Sequence, residues 1–146
     1  MSVLATHPPW PNLRGVHAFV VDDNDDSRRL LDQALHYCGA LVTVFASPEA
    51  ALEALTEYLP TLIISDISMP EMTGFEFIRR LRERPPAKGG RIPAIAVTAF
   101  YEDFVAGAAR NAGFDAYLTK PINFESLCSL VDHVVGLKRH RDSTAA

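Results

Sequence analysis

The chain has 146 residues, of which 48% are hydrophobic and 22% charged, and its formal net charge is −4. This length suits one compact domain, and so modest a charge gives no sign of a nucleic-acid surface. Because no apolar run approaches the roughly 20 residues that span a bilayer, and no signal peptide is visible, we predict a cytoplasmic protein without direct membrane or nucleic-acid contacts.

The predicted elements alternate between strands and helices along the chain. Residues 1–14 place three prolines around Trp10 and are expected to form an extended arm. Apolar runs and helical spacing then predict, in order, a strand at 16–21, a helix at 27–37, a strand at 41–45, a helix from Pro48 that carries Leu59 inward, a strand at 61–65, a helix at 73–84, a strand at 92–97, a helix at 102–111, a strand at 116–118 and a last helix capped by Asn123.

This alternation predicts an α/β fold. Five strands with short connections favour a doubly wound five-stranded parallel sheet of order 2-1-3-4-5, with helices on both faces. We place the domain at 15–138 and a polar tail at 139–146. Cys38 and Cys128 are far apart and show no metal-ligand or redox spacing, so we expect buried free thiols in a reducing compartment.

Acidic residues follow two of the predicted strands. Asp66 ends the third strand, and Asp22 and Asp23 end the first. In the predicted strand order these strands are neighbours at the switch point, where open α/β sheets bind ligands. Three carboxylates within about 5 Å would repel one another by roughly 3 kcal/mol per pair at an effective dielectric near 20. A hard divalent cation relieves that repulsion, so the sequence predicts a Mg²⁺ site.

Two further polar residues reach the same edge of the predicted sheet. Thr98 ends the fourth strand and Lys120 follows the fifth. A hydroxyl and an ammonium group beside Asp66 can hold a phosphoryl group, and carboxylates are recognised nucleophiles that form aspartyl-phosphates. Each residue alone also has an ordinary explanation: helix capping for the Asp22-Asp23 pair, a backbone-satisfied hydroxyl for Thr98 and a solvated charge for Lys120. Their joint placement favours a site.

These residues resemble the receiver domain of bacterial two-component response regulators over roughly 16–137. The matching pieces, in the order of that family and at similar spacing, are Val20-Val21-Asp22-Asp23-Asn24, Ile63-Ile64-Ser65-Asp66-Ile67-Ser68-Met69-Pro70 with Gly74, Ala96-Val97-Thr98-Ala99 and Tyr117-Leu118-Thr119-Lys120-Pro121. The flavodoxin-like receiver fold is therefore the expected architecture. The joint signature is specific, although each piece alone is weak.

The resemblance implies that Asp66 accepts a phosphoryl group from a histidine kinase or a histidine phosphotransfer protein. By the same analogy Asp23 and Asp66 bind Mg²⁺ directly, Asp22 acts largely through water, and the backbone carbonyl of Ser68 is a further ligand. Its other implications are that Thr98, the Ala99 N–H and Lys120 hold the phosphoryl oxygens, that Lys120-Pro121 is a cis peptide, and that Thr98 and Tyr117 switch conformation together.

By the same resemblance, two positions are expected to tune the lifetime of the phosphorylated state. Ser68 lies two residues after Asp66, and Phe100 lies two residues after Thr98. Phe100 offers no hydrogen bond to an attacking water, so we predict that it slows hydrolysis and that Phe100→Glu accelerates it. An aromatic ring that simply packs over the loop is the alternative.

The resemblance further implies output by contact with a downstream protein through the face formed by helix 4, strand 5 and helix 5, where receivers also often dimerise. We favour a stand-alone single-domain regulator over a receiver cut from a hybrid histidine kinase. An aspartyl-phosphate phosphatase, as a rival class, would place a second aspartate where Ser68 stands. A flavodoxin-like cofactor binder would have a phosphate-binding loop rich in Ser, Thr and Gly after the first strand, where this chain has an acidic loop. A degenerate receiver used only for docking would have lost at least one of Asp66, Thr98 and Lys120, and all three are present.

Overall fold

The computed structural model describes residues 11–99 and 103–144, so residues 1–10 of the predicted arm and Phe100 lie outside the described residues. In the described part, strands and helices alternate as the sequence predicts. The elements are β1 (His17–Val21), α1 (Asp25–Tyr37), β2 (Leu41–Phe45), α2 (Pro48–Ala54), β3 (Leu62–Asp66), α3 (Gly74–Arg82), a 3-10 turn (Pro86–Lys88), β4 (Ala94–Thr98), α4 (Asp103–Ala112), β5 (Ala116–Thr119) and α5 (Phe124–Thr144).

The sheet confirms the predicted topology. Within the described residues it has five parallel strands in the order β2-β1-β3-β4-β5, which places β1 and β3 side by side at the centre. Val21 pairs with Ser65, and Asp66 pairs with Val97. Thr98 pairs with Thr119 at the far side. The strand ends therefore share one edge, and this register brings Asp22, Asp66, Thr98 and Lys120 to that edge.

Alternating side chains of the central strands divide the core into two layers. Ala18 and Val20 of β1 face one layer, which packs under α1 and α5. Phe19 and Val21 face the other, which packs under α2, α3 and α4. All five residues of β3 and of β4 are buried, as expected for central parallel strands covered on both faces.

Side-chain caps begin several helices where the sequence offers a polar residue. Ser47 caps α2, where Pro48 occupies the first turn, and Thr73 caps α3. The predicted cap of the last helix is confirmed, because the Ser126 N–H donates to Asn123 Oδ1 at 2.9 Å. Helix α2 ends at Ala54, so the prediction of an inward Leu59 is wrong: its side chain is 40% exposed. Helix α5 runs through Thr144, into the segment predicted as a polar tail.

Leu13 anchors the chain just before β1. Its side chain is 1% exposed and belongs to the layer under α1 and α5. Its N–H donates to the carbonyl of Cys38 at 2.7 Å, and the Val16 N–H donates to its carbonyl. The packed core thus begins upstream of residue 15, the predicted start of the domain.

The prediction of two free thiols is wrong. Cys38 and Cys128 are paired as a disulfide, with their Cα atoms 6.9 Å apart, and no described cysteine is free. Cys38 follows the last turn of α1, and Cys128 lies near the start of α5. The packing of these two helices brings together residues separated by 90 positions in the chain, which sequence spacing cannot reveal. Among the described helices, none is long and apolar enough to cross a bilayer.

Candidate functional site

Three carboxylates meet where β1 and β3 end. Asp22 and Asp23 directly follow β1, and Asp66 is the last residue of β3. Each offers a ligand oxygen, and these three oxygens lie within 4.8 Å of one another. Asp22 is fully buried and Asp66 is 6% exposed, whereas Asp23 is open to solvent. The predicted gathering of the three acids is therefore present in the fold.

Lys120 brings a positive charge to the same cleft from the end of β5. Its Nζ lies 3.2 Å from Asp22 Oδ2 and 3.5 Å from Asp66 Oδ2. The Lys120 N–H donates to the carbonyl of Thr98 at 2.7 Å, which ties the ends of β4 and β5 together. The expected cis peptide between Lys120 and Pro121 is also present.

Backbone N–H groups orient the two buried carboxylates. Asp66 Oδ1 accepts from the N–H of Ile67 at 2.7 Å and from that of Ser68 at 3.4 Å. Asp22 Oδ1 accepts from the Asn24 N–H at 2.9 Å. Since Oδ1 of each aspartate is held by its own loop, Oδ2 of each is the oxygen that faces Lys120.

Gly74 allows the loop after Asp66 to fold back tightly. Its N–H donates to the carbonyl of Ile67 at 2.8 Å. A Cβ at this position would overlap the carbonyl oxygen of Asp66 and approach the Cα of Ile67 to 2.8 Å. A side chain at residue 74 would therefore displace the backbone that carries Asp66.

The electrostatics of the cleft favour an added cation. Burial, together with the neighbouring Asp22, raises the pKa of the Asp66 carboxyl, while Lys120 and the two backbone N–H donors oppose that shift. The cleft thus sets three negative charges against the positive charge of Lys120. A hard divalent cation such as Mg²⁺ prefers oxygen ligands. The three carboxylates, one of which is solvent-accessible, supply such ligands, so these residues fit that ion.

The other predicted site residues surround this cleft at different depths. Thr98 is fully buried at the end of β4. Tyr117 of β5 is half-buried and packs against the core layer under α2, α3 and α4. Ala99 directly follows Thr98, and Ser68 lies two residues after Asp66; both are exposed. The prediction about Phe100 falls outside the described residues.

The capping explanation for the Asp22-Asp23 pair is wrong. Helix α1 is capped by Asn24, whose Oδ1 accepts from the Ser27 N–H at 2.8 Å. Asp22 is thereby left to point into the cleft, although its Oδ1 also shapes the turn by accepting from the Asn24 N–H.

Sequence reasoning missed one charged residue that contacts the site. Arg28 Nη1 donates to the backbone carbonyl of Asp22 at 2.8 Å, and its Nη2 pairs with the carboxylate of Asp25. The three-residue spacing of Asp25 and Arg28 signals their ion pair, because such residues are neighbours on the surface of a helix. It does not signal the contact of Arg28 with the Asp22 carbonyl.

The fold and the cleft define a doubly wound α/β protein with an acidic site at the switch point of its sheet. Residues 18–132 match the model of the response regulator receiver domain, and the chain belongs to that family. The family acts in two-component signalling, in which phosphorylation and Mg²⁺ binding are general features.

Relatives of different sizes share this domain. The chain is 48% identical over 112 residues to an uncharacterized 14.6 kDa protein of Leptolyngbya boryana, covering 77% of this chain and 84% of that protein. It is 35% identical to the DNA-binding transcriptional regulator NtrC of Klebsiella pneumoniae over 84% of this chain, and 35% identical to the virulence sensor protein BvgS of Bordetella pertussis over 92%. The matches span only 25% of NtrC and 11% of BvgS.

Solved structures agree on the fold. The chemotaxis protein CheY4 of Vibrio cholerae matches with a TM-score of 0.76 and 28% identity, covering 82% of this chain and 98% of that chain. A signal receiver domain of a histidine kinase from Syntrophus aciditrophicus matches with a TM-score of 0.76 and 27% identity, covering 84% and 91%.

Proposed function

We propose that this receiver is a phosphoacceptor switch in which Asp66 takes a phosphoryl group from a phosphohistidine of a histidine kinase or a histidine phosphotransfer protein. The observation that carries the proposal is the position of Asp66: it ends the central strand within reach of two further carboxylates, and its Oδ2 faces the Lys120 ammonium at 3.5 Å. Its Oδ1 is engaged by backbone N–H groups, so Oδ2 is the nucleophilic oxygen.

Asp23 and Asp66 would hold Mg²⁺ directly, with Asp22 acting through water and the Ser68 carbonyl as a further ligand. When bound, the ion supplies positive charge that offsets the negative charge of the phosphoryl oxygens. The exposure of Asp23 supports direct ligation, because that carboxylate opens to solvent, from which the ion would enter.

Lys120, Thr98 and the N–H of Ala99 would bind the phosphoryl oxygens on the side of the cleft away from β1. Support comes from the sheet register, which ends β4 and β5 level with each other and links Lys120 to Thr98 through the backbone. Positioning and charge neutralisation are the main tasks of a protein in phosphoryl transfer, and these three groups supply both.

Thr98 and Tyr117 would convert phosphorylation into a change at the surface formed by α4, β5 and α5. This surface contains a groove that Tyr117 lines together with Arg110, Leu130, His133 and Leu137. Leu137 is 47% exposed there. A groove that combines apolar side chains with the aromatic Tyr117 and the charged Arg110 and Asp115 suits a downstream protein or a second copy of the chain.

A stand-alone regulator is the proposed context. It is supported by the Leptolyngbya boryana relative, whose 14.6 kDa is the size of a single receiver and of which the match spans 84%. The similarity to BvgS and to the Syntrophus aciditrophicus kinase receiver keeps the hybrid-kinase context as the second candidate.

The test is labelling by a small phosphodonor such as acetyl phosphate, with and without Mg²⁺. We expect wild-type protein to gain one acid-stable, base-labile phosphoryl group in Mg²⁺ and none in EDTA, and Asp66→Asn to gain none. Asp26→Asn is the matched control, because it removes an equal charge from an exposed residue near the cleft, and it should label like wild type. Labelling of Asp66→Asn at the wild-type rate would refute the proposal.

The same samples separate a switch from a phosphatase. A phosphoacceptor domain should show no multiple turnover of p-nitrophenyl phosphate, whereas an aspartyl-phosphate phosphatase should release product continuously in Mg²⁺. Continuous turnover that Asp66→Asn abolishes would replace the proposed switch with the phosphatase alternative.

A further inference from the structure

Arg28 lies against the backbone of the acidic turn. It is the fourth residue of α1, and its side chain is 19% exposed, in contrast to 69% for the next residue, Arg29. Its Nη1 donates to the carbonyl oxygen of Asp22 at 2.8 Å, and its Nη2 pairs with the carboxylate of Asp25. The guanidinium group therefore links the first turn of α1 to the end of β1.

This placement is unfavourable unless specific contacts compensate for it. Side chains on a helix point back toward its N-terminus, where the helix dipole is positive and disfavours a cation. An arginine side chain also gives up rotamer entropy when it is fixed in one conformation. The carbonyl of Asp22 and the carboxylate of Asp25 supply the compensation, so the contact is specific to this turn.

The carbonyl that Arg28 holds belongs to the peptide between Asp22 and Asp23. Because a peptide unit is planar, fixing its oxygen fixes the direction in which Asp23 leaves the strand. The other side of Asp22 is already held, since its N–H donates to the Phe45 carbonyl at 3.1 Å. In the part of the chain that the structure describes, no donor holds the Asp23 carboxylate itself, so the backbone sets its position.

We propose that Arg28 is a positioning residue of the metal site: its hydrogen bond to the Asp22 carbonyl presents the Asp23 carboxylate at the spacing from Asp66 that Mg²⁺ needs. The inference rests on the proposed function, because it assigns a role within the same site. Mg²⁺ demands near-ideal octahedral geometry, so its affinity is sensitive to the placement of a single ligand. Loss of groups that orient metal ligands typically costs 10–100-fold in affinity.

Positioning and simple charge effects predict opposite results. Removing a cation near a dication site should tighten Mg²⁺ binding through Coulomb's law. Removing the hydrogen bond that orients Asp23 should weaken it. Arg29 is the matched control, since Arg29→Met makes the same charge change one residue away, where the guanidinium lies 4.0 Å from Asp26 and is mostly exposed.

The experiment is a calorimetric titration of Mg²⁺ into the full chain as wild type, Arg28→Met, Arg28→Lys and Arg29→Met. We expect the Kd to rise about tenfold for Arg28→Met and to stay level or fall slightly for Arg29→Met. Arg28→Lys keeps the charge but replaces the planar fork with a point donor, so its Kd should rise about threefold. Thermal unfolding in EDTA verifies that each variant is folded at the titration temperature.

The outcomes separate this inference from the proposed function. If Arg28→Met binds Mg²⁺ as tightly as Arg29→Met does, Arg28 is merely structural and the inference is wrong while the proposed function stands. If Arg28→Met does not fold, Arg28→Lys decides, and an unchanged Kd overturns the inference. If wild type itself fails to bind Mg²⁺, both the inference and the proposed metal site fail.

Discussion

The two edges of the sheet use the same kinds of charged residues in opposite ways. At the carboxyl edge, Lys120 faces the buried Asp22 and Asp66. At the amino edge, Arg82 of α3 faces Asp115, which precedes β5, at 3.0 Å. Both cations are mostly buried, with side chains 21% and 22% exposed. One edge of the sheet nevertheless forms a site, whereas the other supports the fold.

The difference lies in the balance of charge and hydrogen bonds. Arg82 also donates to the carbonyls of Gly113 at 2.9 Å, Gly90 at 3.2 Å and Ile92 at 2.6 Å. Asp115 Oδ2 accepts from the Ala94 N–H as well. At that edge one cation meets one anion and the surrounding carbonyls, which stabilises a fixed structure. At the carboxyl edge the three carboxylates carry more negative charge than Lys120 neutralises. The added positive charge of a bound dication is therefore favourable.

The largest expected effect comes from breaking the amino edge. Arg82→Met should lower the free energy of unfolding by about 3 kcal/mol, because the carbonyls and the Asp115 carboxylate lose their donor. Urea unfolding measures it. Arg80→Met is the control: Arg80 lies on the exposed side of α3 with a 3.4 Å pair to Glu76, and its loss should cost below about 0.5 kcal/mol. Equal losses for the two variants would contradict the proposed supporting role.

A smaller loss of stability is expected at the carboxyl edge from crowding. Gly74→Ala should lower the free energy of unfolding by about 2 kcal/mol, since its Cβ overlaps the Asp66 carbonyl. It should also slow labelling by acetyl phosphate. Gly136→Ala in α5 is the matched control; its Cβ meets nothing within 4 Å, so it should stabilise the helix by up to about 1 kcal/mol. If Gly74→Ala has wild-type stability, the close approach at Gly74 is unimportant.

The smallest expected effect is a gain in stability and not a loss. In EDTA at pH 7, Asp66→Asn should be more stable than wild type, by on the order of 1 kcal/mol, because it removes a buried charge from the acidic cleft. The folded pKa of Asp66 is raised above its ordinary value of 3.8. The wild-type penalty therefore grows as the pH rises from 3.8 through the folded pKa, and the advantage of Asp66→Asn should vanish below pH 3.8.

Thermal unfolding of the two proteins across this pH range measures the difference. The titration of exposed acids changes the stability of both proteins equally, so it cancels in the difference between them. Asp26→Asn serves as control and should show little advantage at any pH, because its carboxylate is 94% exposed. An advantage of Asp66→Asn that persists unchanged into acid would show that charge is not its cause.

The sheet and its acidic edge were predictable from the sequence because both follow from local patterns. Apolar runs gave the strands, and the polar residues at their ends, such as Asp66 and Lys120, were visible as interruptions of those runs. Parallel strands place such residues at one edge, so topology alone brings them together. The predicted inward position of Leu59 is wrong because helical spacing of apolar residues continues in the sequence after α2 ends at Ala54.

Contacts between distant segments were not predictable in the same way. Arg82 and Asp115 are 33 residues apart, and each alone resembles an ordinary surface charge. The Cys38–Cys128 pair depends on how α1 crosses α5, and the role of Arg28 depends on a carbonyl oxygen, which no sequence pattern displays. These features require the packed structure, because they arise from side-chain direction rather than from composition.

The burial of Leu13 has a practical consequence for protein engineering. A truncation or a fusion joined at residue 15 would remove a leucine that is 1% exposed and expose the pocket that it fills under α1 and α5. Loss of a buried leucine typically costs 2–5 kcal/mol, a large part of the stability of a small domain. Sensors or chimeric signalling proteins built from this receiver should therefore keep the chain from Pro11 onward.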